Sequence, residues 1–163
     1  MNWQRSNRAD PRALALADRH YSRQKPGTPQ FVRNASNIVM LTPRADALWV
    51  SIFERFARHD WRGAVECALF RNEGTLLSST LIREAIAATL YLWPSPPLII
   101  TMIDEDKVRH KRDPGRCFRK AGFTELGRTR KRKRLVLGLS PLLFPAPEPL
   151  IDATRGMFAE EVA

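Results

Sequence analysis

The chain has 163 residues, 44% of them hydrophobic and 27% charged, so it is long enough for one domain with its own core and has the make-up of an ordinary globular protein. Its 27 Lys and Arg against 17 Asp and Glu leave a net charge of +10, a balance that points to a polyanionic partner, most commonly nucleic acid. Two cysteines make no disulfide framework, no apolar run approaches the roughly 20 residues of a membrane span, and residues 1–12 are polar, so the expected compartment is the reducing cytoplasm.

Asp10-Pro11 opens the first predicted helix: an acidic N-cap, proline at the first helical position, then the helix formers Arg12 to Arg19. It runs into His20-Tyr21-Ser22-Arg23, and the prolines and glycine of residues 24–30 make a loop. Two apolar strands, 37–42 and 47–53, flank the turn-rich residues 43–46 and predict a hairpin. Residues 56–63 read as a polar loop, and His59 as a loop residue.

The centre of the chain is a strand–helix–strand. Residues 64–70 form an apolar strand, Arg71-Asn72-Glu73-Gly74 a turn, and Leu77, Leu81, Ile82, Ala85, Ile86, Ala88 and Thr89 carry the spacing of a helix with one buried face. The second strand, 98–103, leaves the sheet at Asp104-Glu105-Asp106. Such a unit is a right-handed crossover with parallel strands, and ligands collect at the carboxyl ends of those strands. A short helix closes on Ala121-Gly122-Phe123, and residues 124–129 and 132–138 predict a second antiparallel pair. Four prolines in residues 140–149 exclude regular helix or central strand there. The expected fold class is therefore α/β (α+β), a mixed and largely antiparallel sheet with one parallel crossover. One domain would span 1–139, with a Pro-rich extension at 140–163 that packs on the body or frays, 150–163 being a last short helix at most.

This order, together with Asp113-Pro114-Gly115-Arg116-Cys117-Phe118-Arg119-Lys120-Ala121-Gly122-Phe123, resembles the Gcn5-related N-acetyltransferase (GNAT) superfamily, whose late signature joins an aromatic, a basic residue and Gly-Phe. The resemblance implies acetyl-coenzyme A or a related acyl-coenzyme A as donor. Phe70, Arg71, Gly74, Ser78, Ser79 and Phe118 would then hold it, the pyrophosphate lying on the turn and on the helix that follows. Where the superfamily has spaced glycines, this turn has only Gly74; read from the residues alone, Gly74 is a turn glycine and the serines an N-cap.

A narrower resemblance is to the Mom-type DNA-modification proteins of phages, which share this acyltransferase-like fold. His20-Tyr21-Ser22 is similar to the family's His-Tyr-Ser stretch, and Ile103-Asp104 followed by residues 115–123 to its strand, glycine loop and aromatic. Phe118 stands where that family tends to have tyrosine. The resemblance spans roughly residues 13–128. It implies a carbamoylmethyl or acyl-type group added to adenine N6 in double-stranded DNA, on a base flipped from the stack. His20, Tyr21 and Asp104 become the candidate catalytic residues, with His20 and Asp104 as candidate iron ligands. Each has a plainer reading: His20 closing the first helix, Tyr21 a half-buried aromatic, Asp104 paired with Lys107 or Arg109. His110 has no comparable context and reads as a loop residue.

From Lys107 to Arg134 there are thirteen Lys or Arg against Asp113 and Glu125, six of them within 128–134 across the second hairpin. A hairpin tip so charged projects into solvent or onto phosphates. Lys107, Arg109, Lys111, Arg112, Arg130, Lys131, Arg132, Lys133 and Arg134 are the candidate nucleic-acid contacts, joined by Arg23, Lys25 and Arg33 from the early loop. Two rival functions stand beside DNA modification: an acyltransferase of the same fold acting on an amine of RNA, protein or a small molecule, and a basic DNA-binding module without catalysis.

Overall fold

A computed structural model describes residues 1–55, 60–108, 110 and 112–151. In chain order the strands are β1 (Gln4–Ser6), β2 (Ser36–Leu41), β3 (Ala47–Phe53), β4 (Val65–Asn72), β5 (Ile99–Ile103), β6 (Thr124–Arg128) and β7 (Leu135–Leu139). The α-helices are α1 (Pro11–Asp18), α2 (Ser78–Leu92) and α3 (Arg116–Lys120). The strands join one sheet in the order β1-β2-β3-β4-β5-β7-β6; β4 and β5 are its parallel pair, on either side of α2, and the rest is antiparallel. The mixed α+β sheet with a central crossover is thus as expected from the sequence.

Period-two alternation divides the core between the two faces of the sheet. Ile38 and Met40 of β2 and Ala47 and Trp49 of β3 join the large cluster that takes in Leu81, Ile82, Ala85 and Ile86 of α2 and Phe118 of α3. Val39, Leu41, Leu48, Val50 and Ile52, on the opposite face, pack with Ala13, Leu16 and Ala17 of α1. Helices on both faces explain why β3 reads as a nearly unbroken apolar run; on β5 the face away from α2 is covered by Ala64, Val136 and Trp61 packing on Ile100 and Met102. Within the large cluster, Trp3 is fully buried and donates its indole N–H to the Leu81 carbonyl at 2.9 Å.

Several local expectations need correction. Gln4–Ser6 is an edge strand paired with β2 in the polar segment where none was predicted. Its bonds come from distant Val39–Leu41 rather than from any apolar pattern of its own. Leu77, assigned to the buried face of α2, is instead its N-cap and 73% exposed. Of the predicted last helix, residues 152–163 lie outside the described residues, as does His59. The proline-rich segment packs back on the body: the Glu148 N–H reaches the Ala87 carbonyl, and Ile151 bridges to Gln4. No helix among the described residues is long and apolar enough to cross a membrane.

The start of α1 follows the predicted cap. Asp10 accepts from the Arg12 backbone N–H at 2.9 Å, from the Arg12 guanidinium at 3.0 and 3.2 Å, and from the Ser6 hydroxyl at 2.9 Å. Chiefly the Arg12 side chain, and then Ser6 and the Arg12 amide, hold its carboxyl down at about 2 against the opposing effect of burial. Asp10→Ala is therefore expected to cost about 1 kcal/mol at neutral pH. Because the folded-state pKa is depressed, this contribution is fully present above the unfolded value of 3.8 and lost as pH falls through about 2. Urea denaturation of both proteins across that range checks it, the two curves converging at the acid end.

Candidate active site

β4 and β5 pair at Val65↔Ile99, Glu66↔Ile100 and Cys67↔Thr101, and there the ladder ends. Both strands continue, β4 to Asn72 against β3 and β5 to Ile103 against β7. At the same level β4 carries a bulge, with Ser51 opposite Cys67 and Val50 opposite Leu69, which leaves Ala68 without an opposite residue. From Ala68 onward the β5-facing edge of β4 therefore has backbone N–H and C=O groups with no strand beside them. A cavity of about 540 Å³ fills the gap, lined from β4 by Cys67 to Asn72 and from β5 by Thr101 to Ile103.

The end of α1 closes one side of this cavity with Arg19, His20 and Tyr21, and the α3 segment closes the other with Pro114, Gly115, Cys117 and Phe118. His20 Nδ1 accepts the Ser22 backbone N–H at 3.2 Å and lies 2.7 Å from the Ser22 hydroxyl. A ring nitrogen that accepts an amide N–H carries no proton, so the neutral imidazole has its proton on Nε2. The rings of His20 and Tyr21 lie 4.4 Å apart. Burial pushes the Tyr21 phenol above its usual range, opposed in part by a hydrogen bond from the Asp104 backbone to the phenol oxygen. The hydroxyl thus stays protonated at neutral pH.

His20 and Tyr21 are brought together at the cavity, whereas Asp104 meets Tyr21 through its backbone. Its carboxylate faces Arg134, whose Nε lies 3.7 Å away, and not the cavity lining. Among the described residues no group of three or more His, Cys, Asp or Glu is arranged to hold a metal ion. The donor set expected for iron does not fit, and no step is assigned to iron.

An acyl-coenzyme A fits better. The cleft between the parted strands suits a slender acyl-pantetheine arm, and the exposed edge of β4 can bond its amides. Arg71 and Ser78 line the cavity at the start of α2, whose N-terminus no side chain caps. Ser78 is the first helical residue and not the cap, and its hydroxyl accepts from the Asn72 amide at 3.0 Å. Phe70 and Phe118 both line the cavity, their rings 6.0 Å apart and nearly perpendicular. Gly74 and Ser79 are not in the lining. Gly74 has a different role: a Cβ there would meet the Asp46 carboxylate at 2.6 Å, so glycine allows the β2–β3 turn to pack on this one.

The basic run is less free than its sequence implies. Arg119 pairs with Asp113, Arg128 with Glu105, Arg130 with Asp60 and Arg134 with Asp104; apart from Asp113 these acids come from outside the run. Arg23 is spent on structure, with its side chain 7% exposed, bonded to Asp18 at 2.6 Å and to the carbonyls of Thr28 and Gln30. Arg33 bridges Glu54 and Glu66. Lys25, Lys107, Arg112, Lys131, Arg132 and Lys133 are exposed, while Arg109 and Lys111 lie outside the described residues. The base of the hairpin is still linked to the cavity: Arg134 pairs with Asp104, whose backbone bonds the Tyr21 hydroxyl.

Sequence reasoning missed Arg19, Cys67, Thr101, His110 and Cys117 as cavity residues. No pattern marks them; strand divergence and the return of α1 bring them together.

No protein-family model matches the chain, and no curated protein matches it either. Solved structures do. The aminoglycoside acetyltransferase AAC(6')-Ib, in complex with coenzyme A and kanamycin, superposes with a TM-score of 0.62 at 17% identity, over 88% of this chain and 96% of that one. The spermidine N-acetyltransferase of Vibrio cholerae, in complex with coenzyme A and spermine, gives 0.54 at 15% identity, over 87% and 96%. At such identity the likeness is one of fold: this chain has the GNAT fold.

Gly115 offers a direct test of the cavity wall. It caps α3 with φ +82°, and a Cβ there would meet Ile103 Cδ1 at 2.5 Å and Leu137 Cδ1 at 2.8 Å. Gly115→Ala is expected to lower stability by about 1–3 kcal/mol, read as a drop in melting temperature and in the denaturant midpoint.

Proposed function

We propose that this protein is an acyl-coenzyme A-dependent N-acyltransferase whose acceptor is a neutral amine carried on nucleic acid, the exocyclic N6 of adenine in DNA. The observation that carries the acceptor reading is the charge of the cavity. Among its described lining residues stand Arg19 and Arg71, and no Asp or Glu. The acids beside it, Glu73 and Asp104, are already held by arginines. A polycationic amine would find like charge and no carboxylate to receive it. A nucleobase amine is uncharged at neutral pH, and its phosphates are drawn to a body of net charge +10.

In this reading the donor supplies a thioester carbonyl. The amine nitrogen would attack the carbonyl carbon, forming the C–N bond as the C–S bond breaks; the departing sulfur would take the Tyr21 phenol proton, and the proton shed by the nitrogen would return to the phenolate. Tyr21, kept neutral by burial, is the proton donor. His20 presents an Nε2 proton to developing negative charge, its ring fixed by Ser22. Asp104 acts by position, its backbone holding the phenol and its carboxylate holding Arg134. The exposed Lys131, Arg132 and Lys133 bind phosphate without reading sequence. Acylation of a small free amine is the second reading; it is favoured by the spermine and kanamycin bound in the similar structures.

Mass spectrometry of nucleosides from DNA of cells expressing the protein is expected to show a new adenine adduct. The adduct should disappear with Tyr21→Phe and be strongly reduced with His20→Ala. Acyl transfer to spermidine or kanamycin in vitro, with unmodified DNA, would establish the second reading instead. Changing Lys131, Arg132 and Lys133 to Ala is expected to flatten the plot of log affinity for duplex DNA against log salt, by about 0.9 for each phosphate that is no longer neutralised. An unchanged slope removes the hairpin tip from the interface.

A further inference from the structure

Beside the cavity, two guanidinium groups from different elements converge on one carboxylate. Arg19, following α1, holds Glu73 through paired bonds of 2.8 Å, Nε to Oε1 and an Nη to Oε2. Arg71, at the end of β4, donates from Nε to the same Oε1 at 2.5 Å and from Nη1 to the Arg19 carbonyl at 2.6 Å. The Glu73 N–H is in turn tied to the Asp46 carbonyl at 2.7 Å, which fixes the turn. Both arginines line the cavity, but Glu73 does not. Chiefly Arg19 and then Arg71 lower the Glu73 carboxyl to about 2, so it remains an anion at every physiological pH.

A pair of guanidinium groups from separate elements, converging on one set of anionic oxygens, matches the geometry of a phosphate as well as that of a carboxylate. The paired side chains are about a third or more exposed to solvent, so they exchange readily with a competing anion. The turn itself lacks the spaced glycines that would let phosphate approach backbone N–H groups, and Gly74 is committed to Asp46. At the turn itself an anion is therefore held by side chains, whereas the uncapped start of α2 offers backbone N–H groups.

We infer that Arg19 and Arg71 form a phosphate-binding clamp and that Glu73 is its built-in competitor, occupying the anion position until a phosphate group of a ligand displaces it. The inference deepens the functional reading given above and rests on it only for the source of the phosphate: the diphosphate of the acyl donor or the backbone of the nucleic-acid acceptor. Glu73 would raise the affinity threshold at this end of the cavity, so that only a ligand anchored elsewhere as well gains entry.

Calorimetric titration of the full chain with inorganic pyrophosphate, coenzyme A and a short single-stranded deoxyadenylate tests it. Glu73→Gln keeps the shape of the side chain and removes the competing charge, and it is expected to bind pyrophosphate about five- to tenfold more tightly than the unaltered protein. Arg19→Ala and Arg71→Ala should each abolish that gain in the Glu73→Gln background. A parallel gain for coenzyme A alone assigns the clamp to the donor; a gain for the oligonucleotide alone assigns it to the acceptor. If coenzyme A binds neither protein while pyrophosphate still distinguishes them, the clamp stands and the donor reading falls. Equal or weaker pyrophosphate binding by a normally folded Glu73→Gln protein overturns the inference, because Glu73 would then be holding the arginines in place and not keeping a ligand out.

Discussion

The parting of β4 from β5 after the Cys67↔Thr101 pair is the constraint on which the rest of the structure depends. A sheet that stayed closed would bury its backbone bonds in a ladder and leave no interior space. Here β3 and β7 keep each strand in place from the outer side, and the bulge at Ala68 turns β4 away. The cost is a stretch of backbone without a strand neighbour, which an extended polar chain is suited to satisfy. A cavity lined by the inner edges of two strands follows directly, and so does its position at the carboxyl ends of the parallel pair.

The chemistry is assembled around that opening from three directions. The end of α1 brings Arg19, His20 and Tyr21; the start of α2 brings Ser78; the α3 segment brings Gly115, Cys117 and Phe118. A hydrogen bond from the Asp104 backbone to the Tyr21 hydroxyl ties the first of these to the end of β5. Through Asp104 and Arg134 the same point is joined to the base of the basic hairpin. The base of the basic hairpin is thereby tied to the same end of the cavity as the phenol.

What was legible in the sequence was what neighbouring residues decide. The Asp10-Pro11 start of α1, the strand–helix–strand at the centre and the Gly122 turn are written in spacing and in residue type, and the pairing of His20 with Tyr21 at one site followed from their adjacency. Gln4–Ser6 could not be found this way, because its strand character is conferred by β2. Leu77 looked like the first buried residue of α2 because its spacing suits the apolar stripe, yet the helix begins after it. The run of cations misled for a similar reason: its partners Asp60, Asp104 and Glu105 are drawn in by the fold. Arg23, a surface cation by composition, organises the loop after α1 from a nearly buried position. Cys67 belongs to the cavity because the strands part beside it, and Arg19 and His110 because the segments after α1 and after β5 return to it.

The measurement that bears most directly on the parted strands as the donor site is amide hydrogen exchange with and without acetyl-coenzyme A. The ligand is expected to slow exchange within Ala68–Asn72, where β4 has no partner on its β5 side, and at the first turn of α2, while leaving β2 and the outer hairpin unchanged. Bound ligand with no added protection along Ala68–Asn72 would contradict that role for the opening.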